Sequence, residues 1–374
     1  MRNENADRAE QLQFLRFLAF GLIFLWHADY WVPEWFPHGN GAVNAVSFFF
    51  ILSGLVTGYS SFQRENFFSV HGIVHFMWRK VKKVYPLYFL TTIFTVCYSK
   101  IPFLIAKHDN IALRDEMVQL LKNLFLMQSW FPNGYFSYNG VGWFLSTVFF
   151  LYLITVPLLF CASKIKQLHR NIEAFGFILG LSVMITILYC YLFRSFNLEF
   201  WEYVFPLAHI GEYVAGISLA YILRLVMNKI SDSFWIVILF SIAEIVALVL
   251  WITVMYFGGR GWSGRIVQWF LPNLILVGIF TIGKGRVSRF FRVPILRRLG
   301  DISFECFLIH QIVIQIFRMI SGIMENTVEG NVFSLFFCFT VTILMSMMVA
   351  KPTKTKKESI IAHNITGNRS TLLR

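Results

Sequence analysis

The sequence predicts an all-α, polytopic integral membrane protein with about ten transmembrane helices and both termini in the cytoplasm. Of its 374 residues, 57% are hydrophobic and only 14% are charged, with a mean hydropathy of +0.61. Soluble domains carry about 25% charged residues. The apolar residues also form long blocks, and the basic residues cluster in short runs between them. These observations exclude a soluble multi-domain enzyme, a disordered chain and a disulfide scaffold.

Ten blocks approach the roughly 20 apolar residues that a membrane-crossing helix needs. The predicted spans are 14–32, 43–60, 84–105, 141–162, 172–193, 203–223, 234–256, 266–282, 302–320 and 332–350. A weaker stretch, 117–131, is interrupted by polar residues and is predicted to be interfacial or re-entrant. We expect residues 1–350 to form one membrane domain and residues 351–374 to form a basic cytoplasmic tail on the anionic leaflet. With no appended soluble domain expected, the chemistry must lie in the membrane unit.

The orientation follows from the distribution of basic residues. With a cytoplasmic N-terminus, 25 of the 33 Lys and Arg residues fall on the inner side and 8 on the outer side. Cytoplasmic loops carry such an excess in membrane proteins. The net charge of +13 is therefore scattered along the chain and does not form the single patch that nucleic acid requires. Membrane lipids are an expected partner and nucleic acid is not. No metal-ligand spacing is present.

The first span contains two ionisable residues, Arg16 and His27. Their separation of eleven residues, about three helical turns, places them on one face and roughly 16 Å apart. Arg16 is predicted near the cytoplasmic surface and His27 in the outer half of the membrane. Such residues are functional candidates because they are costly to insert, although a snorkelling arginine and a satisfied interior histidine fit the spacing as well.

Two further groups are candidates. The segment 78–86 carries four cations within five residues, of which Lys80 and Lys83 share a helical face. They suit a polyphosphorylated ligand, but an ordinary cytoplasmic cluster has the same pattern. A second intramembrane histidine, His310, is a candidate lining residue of an internal polar cavity. Glu212 and Glu244 are carboxylates within predicted spans, and the sequence shows no evident partner for either.

Taken in order, four segments resemble the family-3 membrane acyltransferases, which acetylate bacterial cell-surface glycans. Segment 15–28 is similar to the family's Arg, ten residues, His arrangement. Segment 47–58 resembles its Phe-Phe-x-x-Ser-Gly-Phe block, and its Ser-Gly step also favours close helix packing. Segment 80–88 is similar to Arg-x-x-Arg-Ile-Tyr-Pro-Leu-Tyr, and 303–310 to Ser-Tyr-x-x-Tyr-Leu-x-His.

Three departures from that pattern matter. Lys80 and Lys83 replace an arginine pair, which keeps the charge but loses bidentate phosphate geometry. Val148 stands where the family's Trp-Ser-Leu-Ser-x-Glu block has its acid, and Phe304 replaces a tyrosine. These departures bear on the roles of individual residues more than on the family.

The resemblance implies a bacterial inner-membrane enzyme that transfers an acyl group, usually acetyl, from cytoplasmic acyl-CoA to a glycan hydroxyl. Arg16, Lys80 and Lys83 would bind the acyl-CoA phosphates. His27 would act as general base or carry the acyl group itself. No metal is implied, and acetyl-CoA is the expected donor.

Two other classes of function are compatible with the residues. A transporter or flippase for a glycan or lipid-linked precursor also has intramembrane His, Arg and Glu, although no internal repeat of the kind common in carriers is evident. A non-catalytic assembly factor for glycan synthesis is the third. The acceptor stays open among lipopolysaccharide O-chain, lipooligosaccharide core, exopolysaccharide and a lipid-linked unit.

Overall fold

The computed structural model describes residues 10–62, 70–101, 110–164, 171–197, 199–257, 265–320 and 328–350. Over these residues the chain forms thirteen α-helices and no β-strand, so the predicted all-α class is confirmed. They are α1 Glu10–His27, α2 His38–Phe62, α3 Val70–Thr95, α4 Asn110–Leu124, α5 Gly142–Lys164, α6 Ile172–Phe193, α7 Ile210–Met227, α8 Phe234–Phe257, α9 Leu271–Ile282, α10 Arg286–Phe291, α11 Pro294–Asp301, α12 Ser303–Ile320 and α13 Val328–Val349. The predicted tail 351–374 lies outside the described residues.

Six helical segments of the described chain are long and apolar enough to cross a membrane. They are Gly39–Ser61, Ile172–Phe193, Pro206–Met227, Phe234–Tyr256, Ser303–Ile320 and Asn331–Val349. A multi-pass membrane protein is thus supported, whereas the count of ten spans is not confirmed. The other four predicted spans are helical in large part but shorter or more polar: α1 begins with Glu10 and two glutamines, and the apolar parts of α5 and α9 are short.

Helix α2 occupies the centre of the bundle and packs most closely against α7. A Cβ atom added at Gly54 would collide with the backbone of Tyr213, and one at Gly216 would collide with the backbone of Ile51. Gly58 likewise faces Ala220. The two backbones approach this closely because small residues meet at the interface, as in other membrane helix pairs. The packing predicted from the Ser-Gly step is therefore confirmed.

Helices α6, α8 and α13 lie at the periphery and expose apolar side chains. On α8, for example, these include Leu239, Ile242, Val246 and Val249. In water such a surface would be costly, but in a bilayer it faces acyl chains. These faces therefore mark the lipid-contacting side of the bundle.

At the predicted inner end, two short helices hold the N-terminal part of α1. Arg292 donates from Nε to Gln11 Oε1 (3.0 Å), and Gln11 Nε2 donates to the Phe280 carbonyl (2.5 Å). Arg297 pairs with Glu10 at 2.8 Å. Since Gly300 of α11 also packs directly on the backbone of Gln13, the rotation of α1, and with it the direction of Arg16, is determined.

The carboxylate of Glu244 finds its partners at the N-terminus of α10. It accepts hydrogen bonds from the backbone N–H groups of Gly285 and Ser288, both at 3.0 Å, and from the Ser288 hydroxyl at 2.5 Å. These N–H groups have no partner within the helix, and a carboxylate also complements the positive end of the helix dipole. Glu244 is thus a structural helix cap.

Candidate active site

A cavity of about 220 Å³ lies between α1, α2, α3, α5 and α12. Three of its lining residues are the cations predicted to bind a polyanion, namely Arg16, Lys80 and Lys83. The remaining lining residues are mostly apolar: Leu12, Gln13, Phe49, Leu52, Ser53, Val56, Val84, Phe144, Leu145, Val148, Phe149, Tyr152, Ser303, Phe304 and Phe307. The tertiary structure therefore brings α1 and α3 together around one partly charged, partly aromatic space.

The helical spacing of α3 decides which of its clustered cations reach this space. Lys80 and Lys83 are three residues apart and both line the cavity, whereas Arg79 and Lys82 are exposed and do not line it. The Lys80 ammonium lies 4.2 Å from the ring centre of Tyr152 and 5.3 Å from that of Phe76. Such cation–π contacts hold the ammonium against the cavity wall.

The electrostatics of the cavity are dominated by positive charge. The pKa of Lys83 is lowered from its usual range because its ammonium is surrounded by protein and because Arg16 and Lys80 add two positive charges. The Lys83 side chain is nevertheless exposed. The carboxylates of Glu305 and Asp301 act in the opposite direction and raise the pKa of Lys83. Among the described residues, Glu305 Oε2 is buried without a hydrogen bond. An anion placed between the cations would relieve their mutual repulsion.

Three of the aromatic rings that line the cavity pack against one another. The ring centres of Phe144 and Phe307 are 5.5 Å apart, those of Phe49 and Phe144 are 6.1 Å apart, and those of Phe49 and Phe307 are 6.5 Å apart. The ring of Phe307 also lies 6.1 Å from that of His310. We call Phe49, Phe144 and Phe307 the aromatic layer; through Phe307 it connects the cavity wall to His310.

His27 and His310 contact each other across the α1–α12 interface. His27 Nδ1 is 3.2 Å from His310 Nε2, and the two ring planes are inclined at 73°. His27 Nδ1 is also 2.9 Å from the Ile23 carbonyl, and His310 Nδ1 is 3.2 Å from the Cys306 carbonyl. His310 is fully buried and His27 partly so. Neither ring lines the cavity; His310 is instead enclosed by aromatic rings, so the cavity it was expected to line is not this one.

A buried pair of a histidine and a glutamate, His209 and Glu212, was not predicted from the sequence. His209 Nδ1 lies 2.7 Å from Glu212 Oε2, and His209 Nε2 lies 2.9 Å from the Tyr203 carbonyl. The imidazole stacks on Phe50 with ring centres 3.8 Å apart, and Phe50 in turn contacts Phe144 of the aromatic layer. The spacing of three residues at the start of α7 was the available signal. This pair supports one wall of the cavity from behind.

The departures from the family pattern also fall on the cavity. Val148 and Phe304 both line it, so an acid and a phenolic hydroxyl are replaced there by apolar groups. Lys80 and Lys83 supply the cationic charge of the arginine pair they replace. The wall of this cavity is consequently more apolar than the family pattern implies.

These features define a helical, multi-pass membrane protein with an internal cationic cavity and a pair of histidines beyond it. The sequence profile of the acyltransferase domain of acyltransferase family 3 matches residues 10–351, nearly the whole chain, and the chain belongs to this family. It is a membrane acyltransferase, and the transporter alternative is not favoured. Comparison with curated proteins and with solved structures finds no match.

Proposed function

We propose that this protein is an O-acyltransferase of the bacterial inner membrane that moves an acetyl group from cytoplasmic acetyl-CoA to a hydroxyl of a cell-surface or lipid-linked glycan. One observation carries the proposal. Arg16, Lys80 and Lys83 line a single cavity, and His27 lies on the same helix as Arg16 and contacts His310, which neighbours Phe307 of the cavity wall. The three cations suit a polyanion, and the imidazole of His27 suits proton transfer.

The donor suits the charged and apolar lining of the cavity. Acyl-CoA carries a diphosphate and a 3′-phosphate, which charge-assisted hydrogen bonds from guanidinium and ammonium groups stabilise. Its acyl-pantetheine arm is thin and largely uncharged, so it suits the apolar walls formed by Leu52, Val148 and the aromatic layer. In this arrangement the phosphates stay near the cytoplasm while the thioester points toward His27.

The transfer then requires one base. A neutral His27 imidazole takes the proton of the sugar hydroxyl as its oxygen attacks the thioester carbonyl carbon. Collapse of the tetrahedral intermediate breaks the C–S bond, and the departing CoA sulfur takes that proton from the imidazolium. The products are the acyl ester and free CoA. In the covalent variant His27 first accepts the acyl group itself and then passes it to the hydroxyl.

The membrane arrangement proposed for this reaction has ten spans and two cytoplasmic termini. It places the cationic cluster of α3 on the CoA side, and the outer half of α1, with His27, toward the glycan. The basic-residue distribution supports this orientation. Lipopolysaccharide O-chain, lipooligosaccharide core, exopolysaccharide and a lipid-linked unit are the proposed acceptor classes.

Mass spectrometry of surface glycans tests the proposal. Glycans from source cells with and without the gene are compared, and the deletion is complemented with the wild-type protein or with His27→Ala. We expect the deletion to lose the mass of one acetyl group for each modified hydroxyl, and only the wild type to restore it. Normal acylation by His27→Ala, at equal membrane abundance, would exclude His27 as the base or acyl carrier. Unchanged glycan masses with an altered amount or location of glycan would instead indicate transport.

Radiolabelled donor separates the two roles of His27. Incubation with acyl-labelled acetyl-CoA in the absence of acceptor labels the protein if His27 carries the acyl group, and leaves it unlabelled if His27 acts only as a base. His27→Ala is the control for labelling elsewhere.

A further inference from the structure

His310 is a polar side chain in an apolar place. It is fully buried, and the rings of Phe20, Phe24 and Phe307 lie 5.6, 6.2 and 6.1 Å from its own. A buried polar group is costly unless it is hydrogen-bonded. Its Nδ1 lies 3.2 Å from the Cys306 carbonyl oxygen, and its Nε2 lies 3.2 Å from His27 Nδ1.

The neighbouring carbonyl groups determine where the ring protons lie. A carbonyl oxygen only accepts hydrogen bonds, so Ile23 requires a proton on His27 Nδ1 and Cys306 requires one on His310 Nδ1. In the neutral rings both Nε2 atoms then lack a proton. His310 Nε2 consequently accepts from His27 Nδ1–H, which is shared between two acceptors at 2.9 and 3.2 Å.

The opposite assignment fails on the same geometry. If His310 Nε2 carried the proton and donated it to His27 Nδ1, the lone pair of that nitrogen would also face the Ile23 carbonyl oxygen at 2.9 Å. His310 Nδ1 would likewise face the Cys306 oxygen without a proton. Two such lone-pair contacts in a buried site are unfavourable.

We propose that His310 is a positioning residue, which holds the proton of His27 on Nδ1 and so leaves His27 Nε2 as the basic nitrogen. The inference rests on the proposed function, in which His27 is the base. When Nε2 takes a proton from the acceptor hydroxyl, the bond from Nδ1–H to His310 becomes charge-assisted and therefore stronger. His310 itself stays neutral, because the rings around it disfavour a charge.

Three substitutions at one position separate this role from packing. His310→Phe keeps a ring among the phenylalanines but removes the acceptor. His310→Gln loses the ring but places an amide oxygen near the position of Nε2, within reach of His27. His310→Asn has the same polar group, but its shorter side chain reaches only the position of Nδ1.

Steady-state kinetics of the purified full-length variants test the proposal, with thermal unfolding as the check on folding. We expect His310→Phe and His310→Asn to lose kcat by about 10- to 100-fold, the loss known for removing a partner that orients a metal-bound imidazole. The KM for acetyl-CoA should stay near the wild-type value, and His310→Gln should recover most of kcat. A fully active His310→Phe, or a folded His310→Gln no better than His310→Asn, would overturn the proposal.

A spectroscopic measurement on the wild type does not depend on the stability of any variant. ¹⁵N NMR of protein labelled at histidine reports which ring nitrogen carries the proton, and the His27 signals are identified by their absence in His27→Ala. We expect a protonated Nδ1 and an unprotonated Nε2, and the reverse tautomer would refute the assignment. An active His27→Ala would instead refute the proposed function, so the two failures are distinguishable.

Discussion

The Lys80 ammonium lies 4.2 Å from the ring centre of Tyr152, on the wall of the cavity that Arg16 and Lys83 also line. This contact joins α3 to α5 and directs one cation of a crowded cluster into the protein. Lys82, two residues further along the chain, is exposed. One helix turn therefore contains lysines that line the cavity and a lysine that does not, and their effects on donor binding can be compared.

We expect Lys80→Gln and Lys83→Gln each to raise the KM for acetyl-CoA about tenfold with little change in kcat, because a charge-assisted hydrogen bond to phosphate is worth roughly 1.5–3 kcal/mol. Lys82→Gln is the matched control, since it removes the same charge from the same helix turn but outside the cavity. Initial rates at varied acetyl-CoA provide the measurement. An equal effect in all three variants would mean that only the total charge of the cluster matters.

The lowered pKa of Lys83 predicts a pH dependence for binding CoA. Only the ammonium form binds phosphate well, and this lysine loses its proton at a lower pH than is usual for lysine, because its ammonium is partly desolvated and lies beside Arg16 and Lys80. Affinity should therefore be full below the lowered pKa and fall as the pH rises through it. In Lys83→Arg the charge persists, so the decline should move to higher pH. Calorimetric titration with CoA measures both, and identical pH profiles would exclude Lys83 as the titrating group.

The aromatic layer predicts how the enzyme selects the length of its acyl group. Phe144 contacts both Phe49 and Phe307, so Phe144→Ala opens space next to the proposed path of the thioester. We expect the ratio of kcat/KM for butyryl-CoA over acetyl-CoA to rise about tenfold, within the range known for one or two extra methylene groups in a pocket. Phe144→Leu gives a smaller opening with less loss of packing, and Phe290→Ala, on an exposed ring, is the control. An unchanged ratio in both Phe144 variants would place acyl selection elsewhere.

The cap on α10 predicts a loss of stability without a specific loss of chemistry. Glu244→Ala leaves two N–H groups and a hydroxyl without their acceptor, which should lower the free energy of unfolding by about 1–3 kcal/mol. Thermal unfolding in detergent measures this, and Glu173→Ala, at an exposed helix start, serves for comparison. A variant as stable as the wild type would show that water replaces the carboxylate.

Composition and local spacing were sufficient for the class of the protein and for the faces of individual helices. In lipid every backbone polar group must be satisfied internally, so long apolar blocks become helices, and Lys80 and Lys83 share a face because they are three residues apart. The same spacing of three residues brings His209 and Glu212 together at the start of α7. The number of spans was harder to predict. Helix α1 begins with polar residues, and the apolar parts of α5 and α9 are short.

Contacts between distant parts of the chain were decided only by the tertiary structure. Arg16 and Lys80 belong to different helices, and His27 contacts His310 across 283 residues. Glu244 finds its partner at the start of a short helix 41 residues away. Helical periodicity determines which side chains share a face, but which two faces meet depends on the packing of the whole bundle. The close approach of α2 and α7 at their glycines is part of that packing.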